Sequence, residues 1–586
     1  MKNILKTKYI VLAALSLSLT SCTKLNEKIL DELPGSSVAN PEAALATAYG
    51  HMGKGVFVDH GGVFSLQQYT TDEAMLPTRG SDWGDGGKWR SMHEFTWKPD
   101  NAIVTDNWNM LNTGSTRSLA AIKAITESDF PLKKQYLAEA KGLLAYYMFN
   151  LLDLYGQAPY RDPMSEKAPL EYKQAATGID ELITQVEGLI PDLASLGESA
   201  THNGRFTKEA AYGFLANMYM NRAVLKDRYA GSFNFTEKAV SGNDTDMDRV
   251  IYYTSLLINS PKFKLESNYF NSFSIKNEKG PELIWVVTQK IDKIRNGSNS
   301  FGYVGVERNQ RPTPTNRGTN AACMTPEFYY SWDGNHDDPR FSRKYQYADG
   351  TWFHNDREQD VPSTDIVPGT SLMWFHFNRG IIEGQQYGPV LANNTSFVMT
   401  PNNRIKVTAL VMEKSTSTKM DFTPELNFDN NKEAVFKQDQ INRGVRVFKY
   451  EYDPGDGNGA SGVDIPLVRL GVMYTLRAEA YLRKGDNGLA LQDINKLRTS
   501  RTREAYYNNA PGKQIASLDM PQLYKEIAYE TYWELFRRQQ MVRFGKYDLA
   551  LPKSAKPATD PTRRIFPIPQ NVLDVTKGAI SQNKGY

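Results

Sequence analysis

Between Lys133 and Gly156 the chain reads KKQYLAEAKGLLAYYMFNLLDLYG, and Leu137, Ala140, Leu144, Tyr147, Leu151 and Leu154 fall alternately three and four residues apart. That spacing lines all six along one face of a helix, which Gly156 ends and Pro159 keeps from resuming. A helix with one long apolar face holds only when that face is covered, so the stretch commits the chain to helix-on-helix packing.

Other segments repeat the pattern. A second amphipathic helix is predicted from about Gly178 to Leu193, and a third in TKEAAYGFLANMYMNRAVL, with Thr207 as its cap and Glu209 favourable in its first turn. RLGVMYTLRAEAYLRKGDNGLALQDINKLRTSR reads as a helix, a tight turn at Gly485-Asp486 and a second helix, and a last long helix is expected from about Pro521 to Gly545. Leu144-Ala145-x-x-Met148, Leu215-Ala216-x-x-Tyr219 and Arg477-Ala478-x-x-Tyr481 each set a small residue three before a bulky one, and Ala490 and Ile494 follow the last at tetratricopeptide spacing. One helix pair cannot bury its own face, so several must stack.

From about Phe270 to Asp464 the composition shifts to Asn, Gly, Pro, Thr and aromatics, with short strand-like runs at Leu283 to Val287, Arg404 to Met412 and Val445 to Tyr452. Loops this long in a compact domain are usually functional or pinned by small sheets. The expected fold is all-α, tetratricopeptide-like helix pairs forming a scaffold with long loop-rich insertions and a few short strands. Its expected parts are a signal peptide (1–21), a tether (22–40), an N-terminal helical part (41–269) with a binding loop at 71–97, a loop-rich region (270–465) and a C-terminal helical part (466–586).

The N-terminus begins with three lysines (Lys2, Lys6, Lys8), continues with an apolar run from Tyr9 to Leu19, and then reads Leu19-Thr20-Ser21-Cys22. This is a secretory signal too short to span a membrane, ending in the order of a bacterial lipobox, and Cys22 is the expected site of lipidation. Only Cys323 then remains, so the mature chain can form no internal disulfide and depends on its core. Acyl chains at about 0.8 kcal/mol per buried CH₂ hold a protein on a membrane without a spanning helix. The chain has 69 Lys plus Arg against 66 Asp plus Glu, and the three lysines of the signal account for the excess. A neutral body carries no electrostatic footprint for nucleic acid or an anionic surface.

TDEAMLPTRGSDWGDGGKW, from Thr71 to Trp89, sets two tryptophans, four acids and an arginine among glycines with no hydrophobic period. One reading folds Trp83 and Trp89 back as lids on the core. The other exposes them as an apolar plate flanked by Arg79, Asp72 and Asp82, suited to a flat ligand with polar edges. Trp285, among alternating apolar neighbours, reads as core.

Local motifs for catalysis are missing. A phosphate loop at Gly87-Lys88 would need glycine where Asp82 stands and Ser or Thr where Trp89 stands. The seven histidines form neither an i, i+4 pair nor a Cys/His cluster. The turns Asp82-x-x-Asp85 and Asp453-x-x-Asp456-x-Asn458 lack the ligand order of a calcium-binding helix-loop-helix, and ordinary Asx turns are the alternative to a structural Ca²⁺. A hydrolase would need a close carboxylate pair, which no local motif proposes.

The lipobox start, the Thr71 to Trp89 segment, LAEAKGLLAYYMFNLLDLYGQAPY, RLGVMYTLRAEAYLRKGD, YWELFRRQQMVRFGKY and the ending FPIPQNVLDVTKGAISQNKGY together resemble the SusD/RagB family of outer-membrane nutrient-binding lipoproteins of Bacteroidetes. The most specific pieces are Pro567-Ile568-Pro569, the terminal Gln582-Asn583-x-Gly585-Tyr586 and Arg-Ala-Glu-Ala at 477–480. Val472, Leu535 and Gln540 depart from the family's usual glutamate, glycine and aspartate at scaffold positions. The resemblance implies a non-catalytic protein without a cofactor, lipid-anchored in the outer membrane and facing outward, that captures a glycan beside a TonB-dependent (SusC-like) porin. It implies Trp83 and Trp89 as stacking plates, Arg79 as forked donor and Asp72 and Asp82 as acceptors, with Tyr303 and Trp352 contributing from later loops. Peptide or protein binding of the RagB type is the alternative within the same architecture.

Overall fold

The computed structural model describes residues 40–586, apart from 166, 291–296, 298, 430–432, 456 and 577. The expected signal segment, Cys22, the tether up to residue 39, and Asp456 lie outside the described residues.

Among the described residues, six helices longer than ten residues come first: α1 (Pro41–His51), α2 (Ala102–Glu127), α3 (Lys133–Tyr155), α4 (Ala175–Leu189), α5 (Lys208–Lys226) and α6 (Asp246–Ile258). After the loop-rich insertion come α7 (Leu470–Lys484), α8 (Asn487–Ser500), α9 (Met520–Thr531), α10 (Arg537–Arg543) and a short terminal helix, α11 (Gln570–Thr576). From α1 to α8 each helix packs on the next, and this holds across the insertion, where α6 lies against α7. The row is therefore continuous in space although more than two hundred residues interrupt it in sequence. This is the expected all-α scaffold with long insertions and short strands.

Local chemistry accounts for the helix ends. Gly156 takes φ +72° and its N–H closes on Leu152, ending α3 as expected. Thr207 caps α5 by accepting from the Ala210 N–H, and Gly485, at φ +87°, makes the turn between α7 and α8. Neither α2 nor α6 is among the helices expected from the sequence. α2 is rich in Asn, Thr, Ser and Gly, yet Ile103, Asn107, Leu111, Gly114, Ser118, Ala121 and Ile125 are buried along one side. A Cβ on Gly114 would stand 2.2 Å from the Tyr147 ring, so the glycine that weakens the local signal is what lets α2 close on α3. α6 opens with a reciprocal capping box between Thr245 and Asp248.

The insertion leaves and re-enters at one place. Leu283–Val287 pairs antiparallel with Ile465–Arg469, both strands wholly buried, and the second runs directly into α7. Trp285 is core, with its centroid 4.8 Å from Tyr146 and 5.1 Å from Phe206. Farther out the loops are stitched by short antiparallel ladders, the largest placing Ile405–Ala409 between Tyr387–Pro389 and Gln359–Val361.

The terminal motifs act as clamps. Arg477 reaches Asp493 of α8 through two bonds of 2.8 and 2.7 Å, and Glu479 holds Arg543 of α10. Asn583 donates to the Tyr155 and Phe566 carbonyls, and the Tyr586 hydroxyl receives the Trp97 indole N–H at 2.7 Å. The long helix expected from Pro521 to Gly545 is instead broken between α9 and α10, with Trp533 at φ +61°. The break turns Glu534 inward beside Glu530, where Arg469 donates to both carboxylates at 2.6 to 2.8 Å.

Those contacts belong to a larger buried network. Arg469, Arg501, Arg340, Arg498 and Lys449 interleave with Glu282, Glu530, Glu534, Glu526 and Asp338, all of them buried. Burial alone would raise the Glu530 carboxyl, but Arg501, Arg469 and Arg340 outweigh it and hold it at about 2. In the same way, burial opposes but Arg501 and Arg469 depress Glu282, and burial opposes but Arg340 and Arg498 depress Asp338. Carboxyls depressed in the folded state take up protons more readily when unfolded, so the stability they contribute is present above about pH 4.5 and lost as the pH falls toward 2. The stability these carboxyls contribute should therefore be lost between about pH 4.5 and 2, and the thermal midpoint should drop steeply across that range; a midpoint flat from about pH 4.5 to 3 would contradict the network.

Candidate functional site at the 71–97 loop

The segment from Thr71 to Trp97 is less irregular than its glycines suggest. Ala74–Met75 pairs antiparallel with Cys323–Met324, and Thr78–Arg79 pairs parallel with Val435–Phe436, so two ladders bolt it to the insertion. Beyond them Arg79 and Asp82 exchange backbone bonds of 2.8 and 2.9 Å around Gly80, and a left-handed run follows at Trp83, Asp85, Gly86 and Gly87. Trp83 at φ +57° is a bulky side chain in a region that L residues rarely occupy, a strain that surrounding structure must hold in place.

Three of the expected binding residues are engaged within the fold. The Arg79 guanidinium is 1% exposed and donates to the Ala321, Ile441 and Arg443 carbonyls, with Phe436 against its face. It anchors the insertion and presents no fork to solvent. Asp72 accepts from Arg537 at 2.6 and 2.7 Å and from the Tyr524 hydroxyl at 2.6 Å, joining the loop to α9 and α10. Trp89 is 8% exposed: it stacks on His60 at 4.9 Å, meets Tyr69 edge-on, and donates its indole N–H to Asp85 at 2.9 Å. Burial lowers the pKa of His60, which keeps this ring contact uncharged at neutral pH. In this arrangement Trp89 is the lid of the core.

Trp83 and Asp82 remain at the outer edge. The Trp83 ring is half-buried, meeting Trp89 edge-on at 5.9 Å and His60 at 5.6 Å, while its indole N–H reaches the Thr319 carbonyl at 3.3 Å. Asp82 beside it accepts from Arg308 at 2.7 Å and Lys414 at 2.5 Å. The Thr319 N–H in turn closes on Val306, so the loop touches the segment that follows Tyr303. Tyr303 is half-buried next to Tyr452, with centroids 6.3 Å apart. The result is a crest with an aromatic ring backed by other rings and a polar border of Asp82, Arg308 and Lys414. Chemically it can cover one apolar face of a ligand and exchange hydrogen bonds at its rim.

Trp352 stands elsewhere, in a cleft of the later loops, with Tyr506 edge-on at 5.6 Å. Sequence reasoning missed Arg308 and Lys414, which lie 226 and 332 residues from Asp82, so no local spacing could have revealed them. Among the described residues no group of three or more His, Cys, Asp or Glu is arranged to hold a metal. Asp85 of the first acidic turn accepts the Trp89 indole N–H, and Asp453 of the second accepts backbone N–H groups from Gly455 and Gly462.

Comparison with known proteins fits this architecture. The SusD family model matches residues 281–586, more than half of the chain. The chain belongs to the SusD family. The starch-binding protein SusD of Bacteroides thetaiotaomicron is 25% identical over 475 residues, covering 77% of this chain and 72% of that protein. The crystal structure of a SusD homologue from the same species superposes with a TM-score of 0.63 at 16% identity, covering 94% of this chain and 97% of that one. Surface glycan-binding protein A of that species, solved with laminarihexaose, gives a TM-score of 0.59 at 15% identity over 93% and 98% of the two chains. At these identities the solved structures speak for the fold alone.

The two tryptophans should separate in a stability measurement. Trp89→Ala removes a buried ring and should cost about 3 to 5 kcal/mol, whereas Trp83→Ala should cost less, about 1 to 2 kcal/mol, because its ring is only partly buried. Urea unfolding of both variants checks this; equal losses would mean that Trp83 is also core.

Proposed function

We propose that this SusD-family chain captures a neutral glycan at the cell surface and delivers it to a TonB-dependent outer-membrane porin without catalysing its breakdown. The observation that carries the reading is Trp83: an aromatic ring on left-handed backbone, partly exposed to solvent, bordered by a carboxylate and two cations. A sugar offers the complementary surface, with an apolar C–H face for the ring and hydroxyls for Asp82, Arg308 and Lys414. Tyr303 and Trp352 are assigned contacts farther along the ligand. The starch-binding relative and the laminarihexaose complex support a glycan as the ligand class. Membrane attachment is assigned to acylated Cys22, with the body held outside the outer membrane.

The expected affinity follows from the surface covered. One ring covering about 60 Å² at about 25 cal/mol/Å² gives about 1.5 kcal/mol, and each net hydrogen bond adds about 1 kcal/mol before ordering costs. A few such contacts give dissociation constants near the millimolar to high-micromolar range. Weak single contacts suit a carrier that must release, with polymer multivalency supplying retention.

Affinity electrophoresis of a soluble form beginning at Thr23 against neutral polysaccharides tests the reading. At least one glycan should retard the protein, and Trp83→Ala should reduce the retardation several-fold with the fold intact by circular dichroism. Retardation by no glycan, together with binding of peptides, would overturn it.

A further inference from the structure

Apart from the crest, the later loops enclose a cleft of about 390 Å³ whose chemistry the family assignment leaves unexplained. Its rings are organised in two groups. Tyr345 and His376 lie parallel, with centroids 4.1 Å apart and planes at 9°, and Trp374 continues from His376 at 4.4 Å. Trp352, also in the lining, meets Tyr506 edge-on, and Tyr506 is 42% exposed. Burial pushes His376 down to about 4 against the opposing pull of Asp365, so this column of rings is uncharged at neutral pH.

Backbone bonds fix these rings before any ligand arrives. The Trp374 N–H closes on the Asp365 carbonyl at 2.7 Å, the Phe375 N–H on Pro312 at 2.8 Å, and the Phe353 N–H on Tyr345 at 2.9 Å. Preorganised rings lose little freedom on binding.

A second, independent feature is a carboxylate that the fold leaves incomplete. Glu504 lines the cleft and is 2% exposed, with Oε1 accepting the Lys344 N–H at 3.0 Å. Its Oε2 is buried and has no hydrogen-bond partner, and Arg503 Nε stands 3.7 Å away, beyond hydrogen-bond reach. A buried acceptor without a donor is costly, and a hydroxyl entering the cleft would satisfy it.

The geometry points to a second glycan-binding site in this cleft, taking a short neutral segment of the same polymer on the Tyr345–His376–Trp374 column, with a sugar hydroxyl donating to Glu504. The volume, at the lower end of the range of about 300 to 1,000 Å³ for small-ligand sites, admits roughly two or three sugar rings. Fixed rings beside a fixed acceptor match a pyranose, which presents an apolar face and hydroxyl donors at its edge. Two weak sites on one body would hold a polymer far longer than either alone. The inference rests on the reading of the chain as a glycan binder, but on different residues from those of the crest.

The test is isothermal titration of the soluble form beginning at Thr23, which keeps the compact unit from Pro41 to Tyr586, with maltohexaose, laminarihexaose, cellohexaose and mannohexaose. The variants are Trp374→Ala, Glu504→Gln and Trp83→Ala. Glu504→Gln keeps an oxygen for the Lys344 N–H and so reports on the cleft even if the tryptophan variant misfolds. With a hexasaccharide that binds, two sites per chain are expected; Trp374→Ala should weaken one about tenfold and Glu504→Gln should weaken that same site several-fold, while Trp83→Ala removes the other. A single site abolished by Trp374→Ala and untouched by Trp83→Ala would also support the cleft. A single site lost with Trp83→Ala and unaffected by both cleft variants would overturn the cleft and leave the crest standing. Binding of no neutral glycan by the wild type would overturn both.

Discussion

Arg469 is the point on which the parts of this molecule converge. It ends the second strand at the base of the insertion, and its guanidinium is divided among Glu282 at the other strand, Glu530 of α9 and Glu534 in the break before α10. Arg501 shares Glu282 and Glu530, Arg340 brings in Asp338 and Glu526, and Lys449 reaches Glu534 from the insertion. With Arg498, which also pairs with Glu526, five cations face five carboxylates, and that balance is the condition for burying charge at all. Such a network need not add net stability, because desolvation consumes much of the Coulombic gain. Its value is positional: a half-formed set would strand a buried charge, so the strands, α9, α10 and the insertion must all adopt one arrangement.

That constraint explains how loops of such length present rings in fixed places. The 71–97 segment is bolted by Arg79 to three carbonyls of the insertion and by Asp72 to Arg537 of α10. The residues that first look like ligand contacts are thus what stiffens the crest for Trp83. The cleft of Tyr345, His376 and Trp374 is held in the same manner by backbone bonds from neighbouring turns. A binding surface with little freedom to lose can work with few contacts, and few contacts give the weak, reversible capture that the proposed delivery to a transporter calls for.

Much of the scaffold was legible because its signals are local. The three-and-four spacing of α3, the Thr207 cap and the Gly485 turn lie within one or two helical turns, and each is found where it was expected. α2 escaped because its buried face carries Asn107, Gly114 and Ser118, chosen for close approach to α3 and not for apolarity. The break at Trp533 escaped because it is set by Arg469, more than sixty residues earlier. At the candidate site, composition correctly marked 71–89 as unusual but could not divide its work. Whether an arginine points outward or into a ring of carbonyls depends on Ala321, Ile441 and Arg443, which no local pattern connects to Arg79.

The central claim is that Trp83 is the ring a sugar covers. A crystal structure of the mature protein soaked with its tightest-binding oligosaccharide tests it directly. The account predicts a pyranose ring lying on the open face of Trp83, with a hydroxyl within hydrogen-bond reach of Asp82, Arg308 or Lys414. Oligosaccharide density confined to other surfaces, with the Trp83 ring left uncovered, would contradict it.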